Sequence, residues 1–224
     1  MKELIFTGRI CLSVAVAILI LAGAAHAGVI GISNTGLSSI GTVLTDGVSP
    51  DPHYTLISVS GAVPPFTTTL QVLTSAGGFP IGPWLTDSTV SAWIGPNTND
   101  AIGPNGSYTY RTTFNLTGFN SATALLTGQW ATDNSGTDIL LNGHSTGNTS
   151  GGFTAWTPFT ISNSAFFVAG VNTLDFVVNN VDLSTGLRVE VTGTADPSKV
   201  PEPASFLLLG AGLAAFGIFR RRLA

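Results

Sequence analysis

The chain has 224 residues, 44% of them hydrophobic and only 9% charged, with a mean hydropathy of +0.40. That is high for a soluble protein of this size, and the excess lies in two apolar runs at the ends. Between Gly28 and Lys199 lie 172 residues with ten acids and three bases, a net charge of −7, which leaves room for one domain with a real core and excludes a basic nucleic-acid-binding surface.

Residues 1–27 read as a secretory signal. Lys2 and Arg9 give a positive start, Ile10 to Ala22 is apolar, and Ala25-His26-Ala27 places small residues at the cleavage positions, so the cut is expected after Ala27. The only cysteine, Cys11, lies in that run. A mature chain therefore has no disulfide, thiol nucleophile or cysteine metal site.

The body, residues 28–199, follows a period of two from Tyr54 onward, with turn signals every 8 to 12 residues or so, the spacing of an all-β sandwich or barrel. Predicted strands are Tyr54 to Val59, Thr67 to Leu73, Val90 to Ile94, Ser107 to Leu116, Ala122 to Trp130, Asp138 to Leu141, Ala155 to Ile161, Asn172 to Asn179 and Gly186 to Val191. In the clearest of them, Tyr108, Tyr110, Thr112, Phe114 and Leu116 share the inward face. In the last, Leu187, Val189 and Val191 point inward while Arg188 and Glu190 point to solvent. Asn105-Gly106, Asn142-Gly143 and Asp133 to Gly136 are the predicted tight turns, and 147–152 an exposed glycine loop.

Candidate chemistry in the body is sparse. His53, in Asp51-Pro52-His53, and His144, after Asn142-Gly143, read as solvated loop histidines. No nucleophile-elbow, zinc-helix or phosphate-cradling motif occurs. The nine Asp sit mostly beside turn formers, and Asp133 to Asp138 fails the calcium-loop pattern for want of its glycine spacing and closing Glu. No cofactor or metal is expected. Trp130 and Trp93 read as core, whereas Trp84 and Trp156 lie nearer to loops and are the candidate glycan contacts, as rings that could stack on a sugar face.

The far end joins Val200-Pro201-Glu202-Pro203 to a 16-residue run without charge, Ala204 to Phe219, and then to Arg220-Arg221-Arg222. As a helix the run would reach roughly 24 Å, short of a hydrocarbon core of about 30 Å by a gap that flanking arginines can close. The arginines belong in the cytoplasm while the signal sends Gly28 across the membrane. The two prolines hold Val200 and Glu202 extended, an exposed strip that a processing enzyme can grip. Taken in order, these three parts resemble the PEP-CTERM sorting domain of Gram-negative bacteria. That resemblance implies recognition by an exosortase, a membrane enzyme of transpeptidase type, transient anchoring of the precursor in the inner membrane, and export to the cell surface or to an exopolysaccharide matrix such as a biofilm.

From Tyr108 to Thr194 the body is similar to the galactose-binding-like jelly roll: a Tyr-rich strand, Trp130 to Asp133, Asp138 to Gly143, Gly170 to Phe176 and the closing Gly186 to Val191 strand come in that order. The similarity carries over no ligand residue. The expected fold is an antiparallel β-sandwich of jelly-roll type between an N-terminal signal helix and a single transmembrane helix in the segment 200–224. The expected function is that of a non-enzymatic, glycan-binding surface protein with exopolysaccharide as partner. A secreted glycosidase-type hydrolase using Asp residues is the alternative. Ice binding comes third, because Thr67-Thr68-Thr69 is one threonine run that does not recur.

Overall fold

Strict alternation of large apolar and polar residues leaves the chain one way to hide its apolar side: pair strands and fold the sheet over on itself. The computed structural model describes residues 27–45, 47, 49–60, 69–80, 82–96 and 102–198, together with Gly210, Gly212 and Gly217, which are helical. The signal segment through His26, the sorting tetrapeptide, most of the apolar run and the arginine cluster lie outside the described residues.

Among the described residues eleven strands form: β1 (Gly28–Ile30), β2 (Pro50–Val59), β3 (Thr69–Leu73), β4 (Trp93–Gly95), β5 (Gly106–Asn115), β6 (Leu125–Asp133), β7 (Ser135–Leu141), β8 (His144–Ser145), β9 (Thr157–Ile161), β10 (Val171–Asn180) and β11 (Gly186–Ala195). Every pairing between them is antiparallel. The order β8-β7-β10-β5-β2-β3-β4-β11-β6-β9, with β1 on β11, is one path whose halves join at the irregular β2–β3 pairing, and the contacts of β10 with β6 and β9 make those halves two facing layers. From β5 onward the chain crosses between layers at each main connection, β5 to β6 to β7, then β9 to β10 to β11. This is an antiparallel β-sandwich of jelly-roll type.

The layers meet on Phe176. Its ring lies 5.6 Å from Trp130 and 6.0 Å from Phe159 across the sandwich, and 6.4 Å from Tyr54 within its own layer. Strand β5 alternates as its sequence predicts, with Tyr108, Tyr110, Thr112, Phe114 and Leu116 all buried. On its outer face Arg111 stands opposite Asp175 of β10, and two parallel bonds of 2.7 Å join guanidinium to carboxylate.

Asn142-Gly143 turns β7 into β8 with φ of 50° and 81°, the left-handed pair that a two-residue hairpin needs. Asn105-Gly106 does not make a hairpin. Gly106 opens β5, and β4 and β5 pair with other strands, so the sharp backbone there serves a change of layer. Asp133 to Gly136 is likewise a corner between layers, joining β6 to β7. Asp51-Pro52-His53 lies inside β2, not in a turn, because the Asp51 carboxylate accepts the backbone N–H groups of Gly36, His53 and Tyr54 and holds the irregular start of the strand. Strands β1 and β8 escape a periodicity reading because three and two residues are too few to alternate, and 121–123 is a 3₁₀ turn ahead of β6.

Candidate functional site

The outer face of the second layer departs most from expectation. Leu73 of β3, Trp93 of β4, Arg188 of β11 and Ala131 of β6 all point away from the main core, yet all are buried. The long connection from β3 to β4 runs back across them. With the loop before β9 it builds a second, smaller core of Leu73, Trp84, Trp93 and Ala131, flanked by Phe79, Leu85, Phe153 and Trp156. The Trp93 indole donates to the Leu85 carbonyl at 2.9 Å, and the Leu85 N–H to Phe153 at 2.9 Å, which ties the two covering segments together.

Arg188 is therefore not on a solvent face; it is 2% exposed. Its guanidinium donates to the Thr86 carbonyl (2.7 Å), the Ser88 hydroxyl (2.7 Å), and the Ser91 hydroxyl and carbonyl (2.8 and 3.0 Å). Its Cζ lies 5.1 Å from the centre of the Trp156 ring. Burial lowers its pKa, while the Glu190 and Asp87 carboxylates pull the other way. The Ser91 hydroxyl passes the network on by donating to Glu190 Oε1 at 2.8 Å, and Gln129 Nε2 donates to Glu190 Oε2 at 2.7 Å.

Where this cover ends, β6 and β11 leave an open groove of about 360 Å³ lined by Asn34, Val90, Thr127, Gly128, Gln129, Glu190, Val191 and Thr192. Its polar groups are the Gln129–Glu190 pair and the Thr127 and Thr192 hydroxyls, 3.3 Å apart, on a surface that is otherwise mostly apolar. Asn34 closes one wall, its amide oxygen accepting from Val191 N–H and its nitrogen donating to Val90. Gly128 has no room for a side chain, since a Cβ there would lie 2.3 Å from the Glu190 carbonyl oxygen and 2.7 Å from the Phe159 ring.

Of the two tryptophans expected near the surface, Trp84 is buried, with its ring 4.5 Å from Trp93 and 5.5 Å from Phe79. It is packing and offers no face to a sugar. Trp156 is half-buried beside Arg188, next to the groove network. His53 is half-buried in β2 with its Nε2 3.0 Å from the Ser38 carbonyl, and His144 is exposed and stacked on Phe166. Of the cleavage-site pair, Ala27 is exposed just before β1, and Ala25 lies outside the described residues, as do Val200, Pro201, Glu202, Pro203 and Arg220 to Arg222.

Four of the described carboxylates serve separate structural tasks. Asp51 holds backbone N–H groups, Asp175 holds Arg111, Asp87 accepts from Ser75, and Asp138 accepts the N–H of Ile139 and Gly147. Asp133 is buried with Oδ1 unpartnered, and Asn134 spends its side-chain oxygen on Val181 N–H, so the Asp133 to Asp138 corner does not gather its oxygens. Burial raises the Asp133 carboxyl to about 6, against a smaller opposing effect of a bond from Trp84. A raised acid binds its proton more tightly in the folded than in the unfolded chain, so stability falls as pH climbs from about 3.8 to about 6. Asp51, also raised by burial, adds to the same slope. The folded body is expected to lose stability across that window, and Asp133→Asn to flatten the fall, as read from urea midpoints at pH 4 and pH 7.

The sequence reading did not find the Gln129–Glu190 pair or Ser91. Both groove residues stand at outward positions of predicted strands, a signal available in the sequence, but their register, Glu190 opposite Gln129, comes only with the fold.

The tail is decided by its family match: residues 199–222 match the PEP-CTERM protein-sorting motif. The chain carries a PEP-CTERM sorting motif. Such a motif implies recognition by an exosortase and export by way of a membrane-anchored precursor in Gram-negative bacteria. No curated protein matches the chain in sequence. Among solved structures, the chain is similar to the Stig cyclase Fisc from Fischerella sp. TAU (14% identity, 78% of this chain and 100% of that one, TM-score 0.43). It is also similar to the CBM36-1 domain of a multidomain xylanase from the hindgut metagenome of Trinervitermes trinervoides (13%, 65% and 98%, 0.30) and to CBM35 from Cellvibrio japonicus Abf62 (16%, 66% and 95%, 0.32).

Proposed function

We propose that this PEP-CTERM protein is a non-enzymatic sandwich that works at the cell surface or in the exopolysaccharide matrix, where it holds a glycan strand along the β6–β11 groove. The observation that carries the reading is the groove floor, a half-exposed amide–carboxylate pair with two adjacent hydroxyls. These groups present paired donors and acceptors of the kind that sugar hydroxyls engage, in an open channel that a polymer can cross without threading. Trp156, beside the same hydrogen-bond network, offers an aromatic edge. The body has a net charge of −7 and the groove lining holds a carboxylate and no base, so a neutral polysaccharide suits the face better than a strongly anionic one.

Purified 28–199 is expected to co-sediment with the producer's exopolysaccharide, and Gln129→Ala to weaken that binding about tenfold, or roughly 1.4 kcal/mol. Binding that is indifferent to Gln129→Ala would move the site elsewhere, and no binding to any matrix fraction would leave a structural role. Turnover of chromogenic glycosides or esters abolished by one Asp→Asn change would replace this reading with the hydrolase.

A further inference from the structure

The chain that leads into the sorting motif is fastened to the body up to its last described residue. Beyond β11, Asp196 N–H donates to Thr123 Oγ1 and the Asp196 carbonyl accepts Asn120 N–H, both at 2.8 Å; Pro197 bridges Phe119, and Ser198 N–H donates to the Gly118 carbonyl at 2.8 Å. The motif begins at residue 199. Five residues, Lys199 to Pro203, then separate this anchor from the apolar run, and fully extended they span about 18 Å at most. Whatever grips Pro201-Glu202-Pro203 must come within that reach of Gly118.

The pole at this anchor is built from two matching loops. Asn120-Ser121-Ala122 and Asn163-Ser164-Ala165 are the same tripeptide, and each forms a 3₁₀ turn in which the Asn side-chain oxygen accepts the N–H of the Ala. The two turns lie against each other. Asn142 secures the second loop by donating to the Phe166 carbonyl at 2.8 Å, and Asn172 donates to Val168 and Gly170. Neither 115–124 nor 162–171 contains a charged residue, in a body of net charge −7; the nearest acid is Asp196 of the stem. Ala122, Ala165, Ala169, Val168 and Val171 are exposed there, Val168 by 46% and Val171 by 63%.

We propose that this uncharged pole is a docking surface for the membrane-embedded exosortase, seated against it while the enzyme holds Pro201 to Pro203. The proposal rests on the export reading and adds the face on which the substrate meets its enzyme. A lipid headgroup surface fits less well: the loops hold no lysine or arginine for anionic lipid, and no aromatic or long apolar side chain stands free to insert. The patch carries no charge, so burying it against another protein desolvates none.

The test uses the full-length chain in its producer, with processing followed by intact mass. Ala122→Glu, Ala165→Glu and Val168→Glu together are expected to cut the processed fraction at least fivefold. A ten-residue Gly/Ser spacer between Ser198 and Lys199 lets the enzyme reach the motif away from the pole, so in the spaced chain the three charges should change processing less than twofold. Processing of the charged variant at the wild-type rate overturns the proposal, as does a spaced chain in which the charges still cut processing fivefold. A photo-crosslinking residue at Ala165, which leaves the loops otherwise intact, should give an adduct with the producer's tagged exosortase; an adduct with lipid alone overturns that assignment. If Glu202→Ala is itself processed normally, the export reading has failed; if it is blocked while the charged pole is processed, only the docking surface has failed.

Discussion

Arg188→Ala is expected to destabilise the folded body by about 3 kcal/mol and to lower its melting temperature by roughly 6 to 12 °C. Two effects oppose each other. Removing the guanidinium abolishes the cost of keeping a cation out of water, which by itself would stabilise. It also strands the buried Ser91 carbonyl and hydroxyl and unties Thr86 and Ser88, at the exposed rim, from the strand beneath them. Hydrogen bonds to a charged group are each worth about 1.5 to 3 kcal/mol, so four of them outweigh the relief of one desolvated charge. Lysine is not expected to rescue, because one ammonium cannot serve acceptors laid out for a planar fork. Tryptophan fluorescence gives a second reading, since Trp156 loses the cation beside its ring. A change within about 0.5 kcal/mol, as for an ordinary surface residue, would refute the buried network.

That network also marks where the sequence stops being legible. Strands β5 and β10 show their inward faces plainly, because one side of each meets a core and the other is polar: Tyr108, Tyr110, Thr112, Phe114 and Leu116, and Leu174, Phe176 and Val178, are buried as their alternation requires. The Asn142-Gly143 hairpin is equally plain, since few other residue pairs accept two left-handed conformations. Arg188 misleads because its strand alternates correctly while a separate segment returns to cover the outer side. Alternation tells which residues share a face, not whether something lies on it. Trp84 fails in the same way: a tryptophan after Gly82-Pro83 looks like loop, and its burial depends on Trp93 and Phe153 arriving from elsewhere. The groove needed strand register, which pairs Glu190 with Gln129 across 61 residues of sequence.

Glu202→Ala is expected to leave most of the precursor uncleaved. The Pro201-Glu202-Pro203 core of the tetrapeptide offers a processing enzyme one carboxylate between two proline rings, and that side chain is its only charge. Alanine keeps the two rings and removes the charge. A charge-assisted bond to a basic pocket, lost without replacement, is worth about 1.5 to 3 kcal/mol, or some ten- to hundredfold in recognition. The unprocessed chain would stay in the inner membrane, held by Ala204 to Phe219. Glu202→Gln, which keeps two hydrogen-bonding groups, should fall between the two and so separate charge from shape.

Exosortase processing shows itself most directly in where the mature chain stops. Intact-mass measurement of the protein released from the producer's surface reads both ends at once. The expected species begins at Gly28 and ends between Val200 and Pro203, without Arg220, Arg221 and Arg222, and Glu202→Ala cells yield only the longer, membrane-held form. Wild-type surface protein that still carries Arg220 to Ala224 would contradict exosortase processing and make the tail a plain membrane anchor.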